Sequence, residues 1–457
     1  MNPPDAPFIN PAMQSFRPGS LSITAEKSGS RKYAKTSHPT RFGTYAEIQT
    51  RDFEFHFNLN GQIKFIRGLR PDWPHPFEAL KRTAGNDWVY YTVGAVIGQH
   101  GIRDWLGEYY LPCFAYQSNA IVDFTPYDHP AVPGALAAWA QLYADIRSAP
   151  LEKFSKRAHA FLDRVTANDD TALLAHAKRL HTIIGGQISV LPPDTRHVDY
   201  DVIPLTIADG CLYHCDFCIV KSDRTYRPRP LESIRAQIED LKALYGQDLP
   251  NQNSLFLGHH DALAAGQERI CTAAAEAFDA FGFADANISH PRLFMFGSVS
   301  ALLKAKGALF EALDRLPYTT HINIGLESLD AGTLANIGKP LEVTDIQAAF
   351  AKMLALNATF TSIEITANFL IGAPLSQKHH ERIVNLLSSV EPIRPPKGAV
   401  YLSPYAGQPD GTALLKTFFE IKHASRLPVF GSLKSSSRHK VLGYGVHIPG
   451  NVFPSDL

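Results

Sequence analysis

The sequence lacks an excess of charge of either sign. Lysine plus arginine number 44, aspartate plus glutamate also number 44, and the formal net charge is zero. Proteins that bind nucleic acid over a broad surface usually carry a basic excess, and disordered acidic chains carry the opposite. The balance excludes a global basic field, so we expect a small-molecule substrate and no nucleic-acid partner.

The chain also lacks long apolar runs. A membrane-spanning helix needs about 20 consecutive apolar residues, and no stretch of the 457 residues approaches this length. The N-terminus lacks the charged and then apolar layout of a secretory signal. We therefore expect a cytoplasmic protein with no membrane partner, long enough for a catalytic domain and a second, appended domain.

Cysteine is scarce and unevenly distributed. There are 5 cysteines, and three of them lie in one short loop, at Cys211, Cys215 and Cys218. An odd count with such clustering is a poor disulfide framework, and it suits a reducing compartment in which thiolates are free to bind metal. The loop is the strongest candidate for a metal site.

Hydrophobic patterns divide the N-terminal part of the chain into two predicted regions. Residues 1–45 are rich in Pro, Ser, Lys and Arg and predict a flexible leader, with structure beginning near Asp52. Residues 46–198 predict an α+β domain. Alternating phenylalanines from Phe53 to Phe57, followed by Asn60-Gly61, predict a hairpin. Helical patterns follow at 134–148, 151–167 and 170–184.

From residue 199 to 405, short apolar runs alternate with longer amphipathic ones, which is typical of β-α units around a parallel sheet. This α/β pattern predicts a partial, TIM-like (β/α)6 barrel with chemistry on the loops that follow its strands. Residues 406–457 are predicted to form a C-terminal extension. The predicted strands are 202–208, 254–258, 292–297, 321–326, 362–371 and 398–403, and the predicted helices are 231–245, 262–281, 300–315, 344–356 and 378–390. Thr344 and Gln347 have capping-box spacing at the start of one helix.

The cysteine loop follows the first predicted barrel strand. Its spacing, three residues and then two between cysteines, with the aromatic Phe217 before the last cysteine, resembles the motif of radical S-adenosylmethionine (SAM) enzymes. The resemblance implies that Cys211, Cys215 and Cys218 bind three irons of a [4Fe-4S] cluster. The fourth iron would bind SAM, with Phe217 near its adenine.

Further segments of the barrel resemble the same family, in a branch similar to the core of oxygen-independent coproporphyrinogen oxidases. The loop after the second strand takes the place of a glycine-rich turn that holds the SAM amino group, with Gly258 and Asp261 as candidate contacts. A Gly-Leu-Glu-Ser motif ends the fourth strand. It implies that Glu327 lies near the ribose or amino group. The segment from Leu334 to Lys339 resembles the turn that follows in this branch, which implies that Lys339 pairs with the SAM carboxylate. Asn368 stands where the branch has an acidic residue for the ribose hydroxyls.

The resemblance implies a radical SAM enzyme that reductively cleaves SAM to a 5′-deoxyadenosyl radical and abstracts hydrogen from a small molecule. An electron donor such as flavodoxin or ferredoxin would be its partner. The sequence assigns no catalytic residue beyond the cofactor contacts, and it identifies neither the substrate nor the final product.

Other interpretations remain open on the residues alone. The three cysteines with His214 could form a structural zinc site in a binding or regulatory protein, since zinc sites of three Cys and one His exist. A cluster with four protein ligands would need Cys113 or Cys271. Within the radical SAM family, a porphyrinogen-type oxidative decarboxylation is the alternative chemistry.

Overall fold

The computed structural model describes residues 21–32, 42–70, 88–90, 131–185, 202–218, 224–258, 261–372, 375–391, 397–405 and 411–433. Within these residues it contains two main sheets: a four-stranded antiparallel sheet near the N-terminus and an eight-stranded parallel sheet.

The antiparallel sheet has the order β1-β2-β3-β4, formed by Ser22–Ser28, Thr44–Gln49, Phe53–Phe57 and Ile63–Gly68. The predicted hairpin is confirmed, because β3 and β4 pair in antiparallel register around Asn60-Gly61. Gly61 has φ +79, and a Cβ there would lie 2.6 Å from the backbone carbon of Arg164. Only glycine fits this turn.

The prediction of a flexible leader is wrong for Ser22–Ser28, which form β1, and structure begins well before Asp52. The strand was missed because only Ile23 along it is fully buried, so it has no apolar alternation of its own. Its place in the sheet comes from pairing with β2.

Three helices follow: α1 at Ala131–Ser148, α2 at Lys156–Thr166 and α3 at Asp170–Ile184, as the sequence predicts. Trp139 of α1 packs against Phe55 and Phe57 of the antiparallel sheet at ring-centroid distances of 5.9 and 5.6 Å. These aromatic contacts join the helices to the sheet in one core. The predicted domain boundaries themselves stay a prediction.

The parallel sheet has strand order β6-β9-β10-β11-β12-β13-β14-β5, and every pairing is parallel. Its strands are β5 at Trp88–Tyr90, β6 at Ile203–Leu205, β9 at Ser254–Leu257, β10 at Arg292–Gly297, β11 at Thr319–Glu327, β12 at Ile363–Ile371, β13 at Val400–Pro404 and β14 at Val429–Leu433. All six predicted strands are present. Two strands from outside the predicted barrel, β14 and β5, extend the sheet. Its curvature into a barrel stays a prediction.

Helices connect most successive strands. They are α4 at Leu231–Tyr245, α5 at Gln267–Phe281, α6 at Val299–Lys304, α7 at Gly307–Asp314, α8 at Ala331–Asn336, α9 at Val343–Thr359, α10 at Gln377–Ser388 and α11 at Gly411–Ala424. Since each strand from β9 to β14 adds beside its predecessor, right-handed crossovers place these helices on one face of the sheet.

The two faces of the sheet differ in chemistry, because successive side chains of a strand point to opposite faces. One face is aliphatic: Ile322 of β11 is aligned between Met295 and Ile365 of the neighbouring strands, and Ile324 between Gly297 and Ala367. The other face is aromatic and polar. Its residues in the shared register include Phe256, Phe294, Phe296, His321, Asn323, Glu364, Thr366, Asn368 and Tyr401. The polar face is open to ligand chemistry, whereas the aliphatic face suits helix packing.

Three predicted element boundaries are wrong. Strand 202–208 ends at Leu205, because the Gln237 side chain binds both the N–H and the C=O of Thr206 and replaces strand pairing. The predicted helix 262–281 begins as a short 3-10 turn, broken at Gly266 with φ +88. Helix 300–315 is two helices, interrupted at Ala305, whose carbonyl accepts from Lys352.

The predicted capping box is also wrong in register. Helix α9 begins at Val343, and the box is formed by Glu342 and Asp345 instead of Thr344 and Gln347. Carboxylates accept N–H bonds at a helix start more strongly than an amide does, so Glu342 and Asp345 form the box in preference to Thr344 and Gln347. Among the helices in the described ranges, none is both long enough and apolar enough to cross a membrane.

Candidate cofactor site

The cysteine loop begins beyond the end of β6. A short antiparallel pairing of β7 (Ala208–Asp209) with β8 (Arg227–Pro228) closes its base, and Cys211 N donates to Arg224 O at 3.2 Å. Gly210 has φ +79, and a Cβ there would lie 2.3 Å from Thr225 O. Gly210 therefore lets the returning chain approach closely, and this approach fixes the start of the loop.

Cys215 is the buried member of the cysteine trio, whereas Cys211 and Cys218 are half-buried. Burial raises the pKa of the Cys215 thiol to about 11; the charge of Lys339 opposes this shift, and Glu327 and the other two thiols reinforce it. The coupling places all three cysteines, Lys339 and Glu327 in one electrostatic neighbourhood. A buried thiol of this kind becomes a thiolate only when a cation or metal compensates its charge.

Lys339 and Glu327 form a buried ion pair beside the loop. Lys339 Nζ lies 3.6 Å from Glu327 Oε1 and donates to Gly325 O at 2.5 Å. The Tyr213 ring lies under the same ammonium, 5.7 Å from ring centroid to Nζ. Gly325 makes this approach possible, because a Cβ there would lie 2.5 Å from Glu327 Oε1. Within the core, each charge of the pair compensates the other.

Glu327 has an unusual backbone, with φ +67 at a residue that is not glycine. A register shift between Gly325 and Glu327 interrupts the pairing of β11 with β12 at the same place. Left-handed backbone at such a residue is strained, and strain of this kind concentrates at binding and catalytic sites. The kink turns the Glu327 carboxylate toward Lys339.

The turn that carries Lys339 contacts the cysteine loop directly. Asp216 N donates to Ile337 O at 3.1 Å. Gly338 has φ +65, and a Cβ there would lie 2.6 Å from Asp216 Oδ2. The predicted turn from Leu334 to Lys339 therefore packs on the cysteine loop, and it links the loop to the end of β11.

Tyr213 and Asp261 join the cysteine loop to the ends of β9 and β10. Tyr213 Oη and Ser300 Oγ are 2.7 Å apart. Asp261 Oδ1 accepts from Ser298 N at 3.0 Å, and its Oδ2, which is buried, has no hydrogen-bond partner among the described residues. Burial raises the pKa of Asp261, which the charge of Lys339 partly offsets. An unsatisfied buried oxygen of this kind is suited to a donor that a ligand brings.

Asn368 lies one strand away on the polar face of the sheet, paired in register with Gly325. Its amide and that of Asn323 exchange two hydrogen bonds of 2.6 and 3.1 Å. Asn323 also donates to Thr366 Oγ1. Asn368 keeps one N–H and one oxygen lone pair, which is the capacity needed to bind a diol.

The remaining predicted contacts flank this group. Gly258, with φ +85, directly follows β9 and donates from its N–H to Leu205 O at 2.9 Å. Phe217 packs, half-buried, against the main core. The structure thus brings together the cysteines, Glu327, Lys339 and Asp261, with Asn368 on the adjoining strand.

Sequence reasoning missed Tyr213, Asn323 and Ser298 as parts of this site. Tyr213 stands inside the cysteine motif, so its position was available, but nothing in the sequence indicates its bond to Ser300. Asn323 lies four residues before Glu327 on the same strand. A polar residue in a strand that is otherwise buried is a signal that could have found it.

A separate group of metal-type ligand atoms lies in the antiparallel sheet. Among the described residues, Glu47, Glu54 and His56 each place one ligand atom within 4.8 Å of the others. Lys27 already pairs with Glu47 there, at 2.8 Å, so part of the carboxylate charge is compensated without a metal.

Of the two candidates for a fourth cysteine ligand, the structure describes only Cys271. Cys271 lies within helix α5, half-buried against the main core, and burial raises its pKa. Cys113 lies outside the described residues. A cluster held by the loop cysteines alone keeps one iron free of protein sulfur.

No protein-family model matches the sequence, and no curated protein matches it. Solved structures do. A radical SAM methyltransferase from Sphaerobacter thermophilus is 13% identical over 50% of this chain and 65% of its own, with TM-score 0.32. SuiB from Streptococcus suis is 11% identical over 66% and 61%, with TM-score 0.33. The cobalamin-dependent SAM radical enzyme OxsB is 12% identical over 91% and 67%, with TM-score 0.33.

The methyltransferase and OxsB belong to the family that the cysteine spacing resembles. The chain spans 65% and 61% of the lengths of the methyltransferase and SuiB. TM-scores of this size describe partial superpositions.

Proposed function

We propose that this protein is a cytoplasmic radical SAM enzyme that acts on a small molecule. One observation carries the proposal: Cys215, the Glu327–Lys339 ion pair and Asp261 lie in one buried neighbourhood, beyond the ends of β6, β11 and β9 of the parallel sheet. A loop of three cysteines, a cation and two carboxylates is what a [4Fe-4S] cluster and a zwitterionic, sulfonium-bearing cofactor require.

Cys211, Cys215 and Cys218 would bind the cluster. When bound, the cluster and SAM supply a 5′-deoxyadenosyl radical by reductive cleavage, with an electron from a donor such as flavodoxin or ferredoxin. The proposed partial barrel would exclude water from this radical. Gly210, Gly338 and the bond from Asp216 to Ile337 hold the loop in place for this ligation.

The charged side chains would orient SAM. Lys339 has three N–H donors; Gly325 O takes one, and Glu327 attracts another, so one remains for the SAM carboxylate. Glu327 would bind the ribose or amino group. Asp261 and the backbone at Gly258 would bind the amino group, where Asp261 Oδ2 gains the partner it lacks.

Neutral side chains would hold the nucleoside. Asn368 would bind the ribose hydroxyls through its remaining donor and acceptor, while Asn323 fixes the plane of its amide. Phe217 would lie near the adenine. The related branch has an acidic residue where this chain has Asn368. Asn368 lacks that charge, but its amide can still accept and donate hydrogen bonds.

A porphyrinogen-type oxidative decarboxylation stays an alternative chemistry of the same site, supported only by the resemblance around Asn368. The zinc-stabilised binding protein is the alternative from another class. It is disfavoured because zinc motifs usually pair their cysteines in two separated C-x2-C knuckles, and here three cysteines share one loop. Metal identity separates the two classes.

Anaerobic reconstitution with iron and sulfide tests the proposal. We expect about four irons per chain and an electron paramagnetic resonance signal of the reduced cluster that changes when SAM is added, because SAM binds the open iron. Stoichiometric zinc that iron does not displace, or a cluster signal that SAM leaves unchanged, would refute it.

A further inference from the structure

His379 is a fully buried histidine of helix α10 that the proposed chemistry does not use. Its Nε2 lies 2.7 Å from Leu370 O, and its Nδ1 lies 2.7 Å from Ser328 Oγ. A carbonyl oxygen only accepts, so Nε2 carries the hydrogen. In the neutral ring Nδ1 is then an acceptor, and Ser328 Oγ–H donates to it. The two bonds select one tautomer.

Ser328 directly follows Glu327, the residue with φ +67. Its Oγ also accepts from Asp330 N at 2.9 Å, and Asp330 caps helix α8 through Thr333 N. The hydroxyl therefore joins the end of β11 to the start of the next helix. Strained backbone persists only where its surroundings hold it, and Ser328 is the adjacent anchor.

Arg382, three residues after His379 on the same helix face, holds the same turn. Its Nη1 donates to Leu329 O at 2.6 Å and lies 3.6 Å from Asp330 Oδ1. Helix α10 thus binds the turn at two places. The turn continues through α8 to Lys339, so both members of the buried ion pair depend on it.

We propose that His379 is a positioning residue: through Ser328 it fixes the strained backbone of Glu327 and so keeps Glu327 and Lys339 paired beside the cysteine loop. The consequence for SAM binding rests on the proposed function, whereas the effect on the ion pair does not. The competing explanation is a histidine that only fills space in the core.

Two substitutions at position 379 separate these explanations. His379→Leu fills similar apolar volume and loses both hydrogen bonds. His379→Asn leaves more space but keeps an oxygen near the Nδ1 position, which can accept from Ser328. If His379 only fills space, the Leu variant should keep the Glu327–Lys339 pair better than the Asn variant does. If His379 positions Ser328, the Asn variant should keep the pair better. Ser328→Ala removes the same bond from the other side, and His380→Asn is the matched control.

The readout is the acetylation rate of Lys339 in the full chain, measured by mass spectrometry. Lys352 is the internal reference, because it donates to Leu303 O and Ala305 O, away from this turn. We expect His379→Leu and Ser328→Ala to raise Lys339 labelling about tenfold, and His379→Asn and His380→Asn to raise it less than about threefold. The His379→Leu and Ser328→Ala double variant should match the single variants.

The SAM dissociation constant of the reconstituted variants should follow the same order at unchanged iron content. Unchanged Lys339 labelling in His379→Leu and Ser328→Ala, or faster labelling in His379→Asn than in His379→Leu, overturns the positioning role. If His379→Leu does not fold, Ser328→Ala decides. If the wild-type protein with its cluster does not bind SAM, the proposed function fails. The order of Lys339 acetylation rates among the variants still tests the positioning role of His379 in that case.

Discussion

Lys339 and Glu327 pair in the core at 3.6 Å between Nζ and Oε1, and they meet only because Gly325 has no side chain between them. A buried ion pair contributes little net stability, yet removal of one partner leaves an uncompensated charge. The stability of the protein should therefore be sensitive to substitution of either partner.

Replacement of Lys339 by Met should lower the free energy of unfolding by about 3 kcal/mol, because Glu327 is left buried without its cation. The Lys339→Met and Glu327→Gln double variant should recover most of this loss, since no charge remains. Urea unfolding of the metal-free protein measures both. Equal losses in the single and double variants would show that the charge is not the cause.

Replacement of Gly338 by Ala should disturb the cysteine loop. The new Cβ would lie 2.6 Å from Asp216 Oδ2, at a φ of +65 that alanine adopts at a cost of about 1–2 kcal/mol. We expect less iron bound after reconstitution and a correspondingly lower stability. Gly307→Ala is the control, because nothing lies within 4 Å of its Cβ. Iron content equal in the two variants would contradict the contact.

Replacement of Asn323 by Ala should lower the free energy of unfolding by about 2 kcal/mol, because Asn368 and Thr366 both lose a buried partner. The exposed Asn385→Ala should change it by less than about 0.5 kcal/mol. Thermal or urea unfolding measures both. A loss at position 323 no larger than at position 385 would refute the amide pair.

The stability of the protein should depend on pH through His379. Burial lowers the pKa of His379 to about 4, against 6.5 for an ordinary histidine. Between these values the unfolded chain binds more protons than the folded one, so the free energy of unfolding falls as the pH drops from about 6.5 to 4. The contribution is at most about 3 kcal/mol.

His176, which burial shifts in the same direction to about 4, acts in the same window. The test is therefore a difference: the wild-type protein minus His379→Asn, measured by urea unfolding across this range. The difference should shrink toward low pH. A difference independent of pH would mean that His379 is not held neutral.

Much of the parallel sheet could be predicted from the sequence. Buried strands such as β9 and β10 are short apolar runs, and the amphipathic helices between the strands have clear periods, so their bounds agree within a few residues. The first strand, β1, could not, because its place comes from pairing with β2 and not from its own pattern. No local sequence pattern indicates a side chain that takes the place of a backbone hydrogen-bond partner, as Gln237 does at Thr206.

The candidate site also contains residues that the sequence could predict and contacts that it could not. The cysteines, Lys339 and Glu327 have positions in motifs, so the sequence alone predicts them as site residues, and the structure places them close together. The bond between Tyr213 and Ser300 spans 87 residues, and that between Ser328 and His379 spans 51. Contacts of this separation follow from the order of strands and the register of the sheet, which no local pattern encodes.

The most direct measurement of the central claim is the amount of 5′-deoxyadenosine formed when the anaerobically reconstituted protein is reduced with dithionite in the presence of SAM. We expect 5′-deoxyadenosine from the wild-type protein and from Cys271→Ala, and none from Cys215→Ala, which should also lose its iron while keeping its fold. If wild-type protein with a full cluster forms no product, or if Cys215→Ala keeps both product and iron, this protein does not cleave SAM at a cluster held by the loop cysteines.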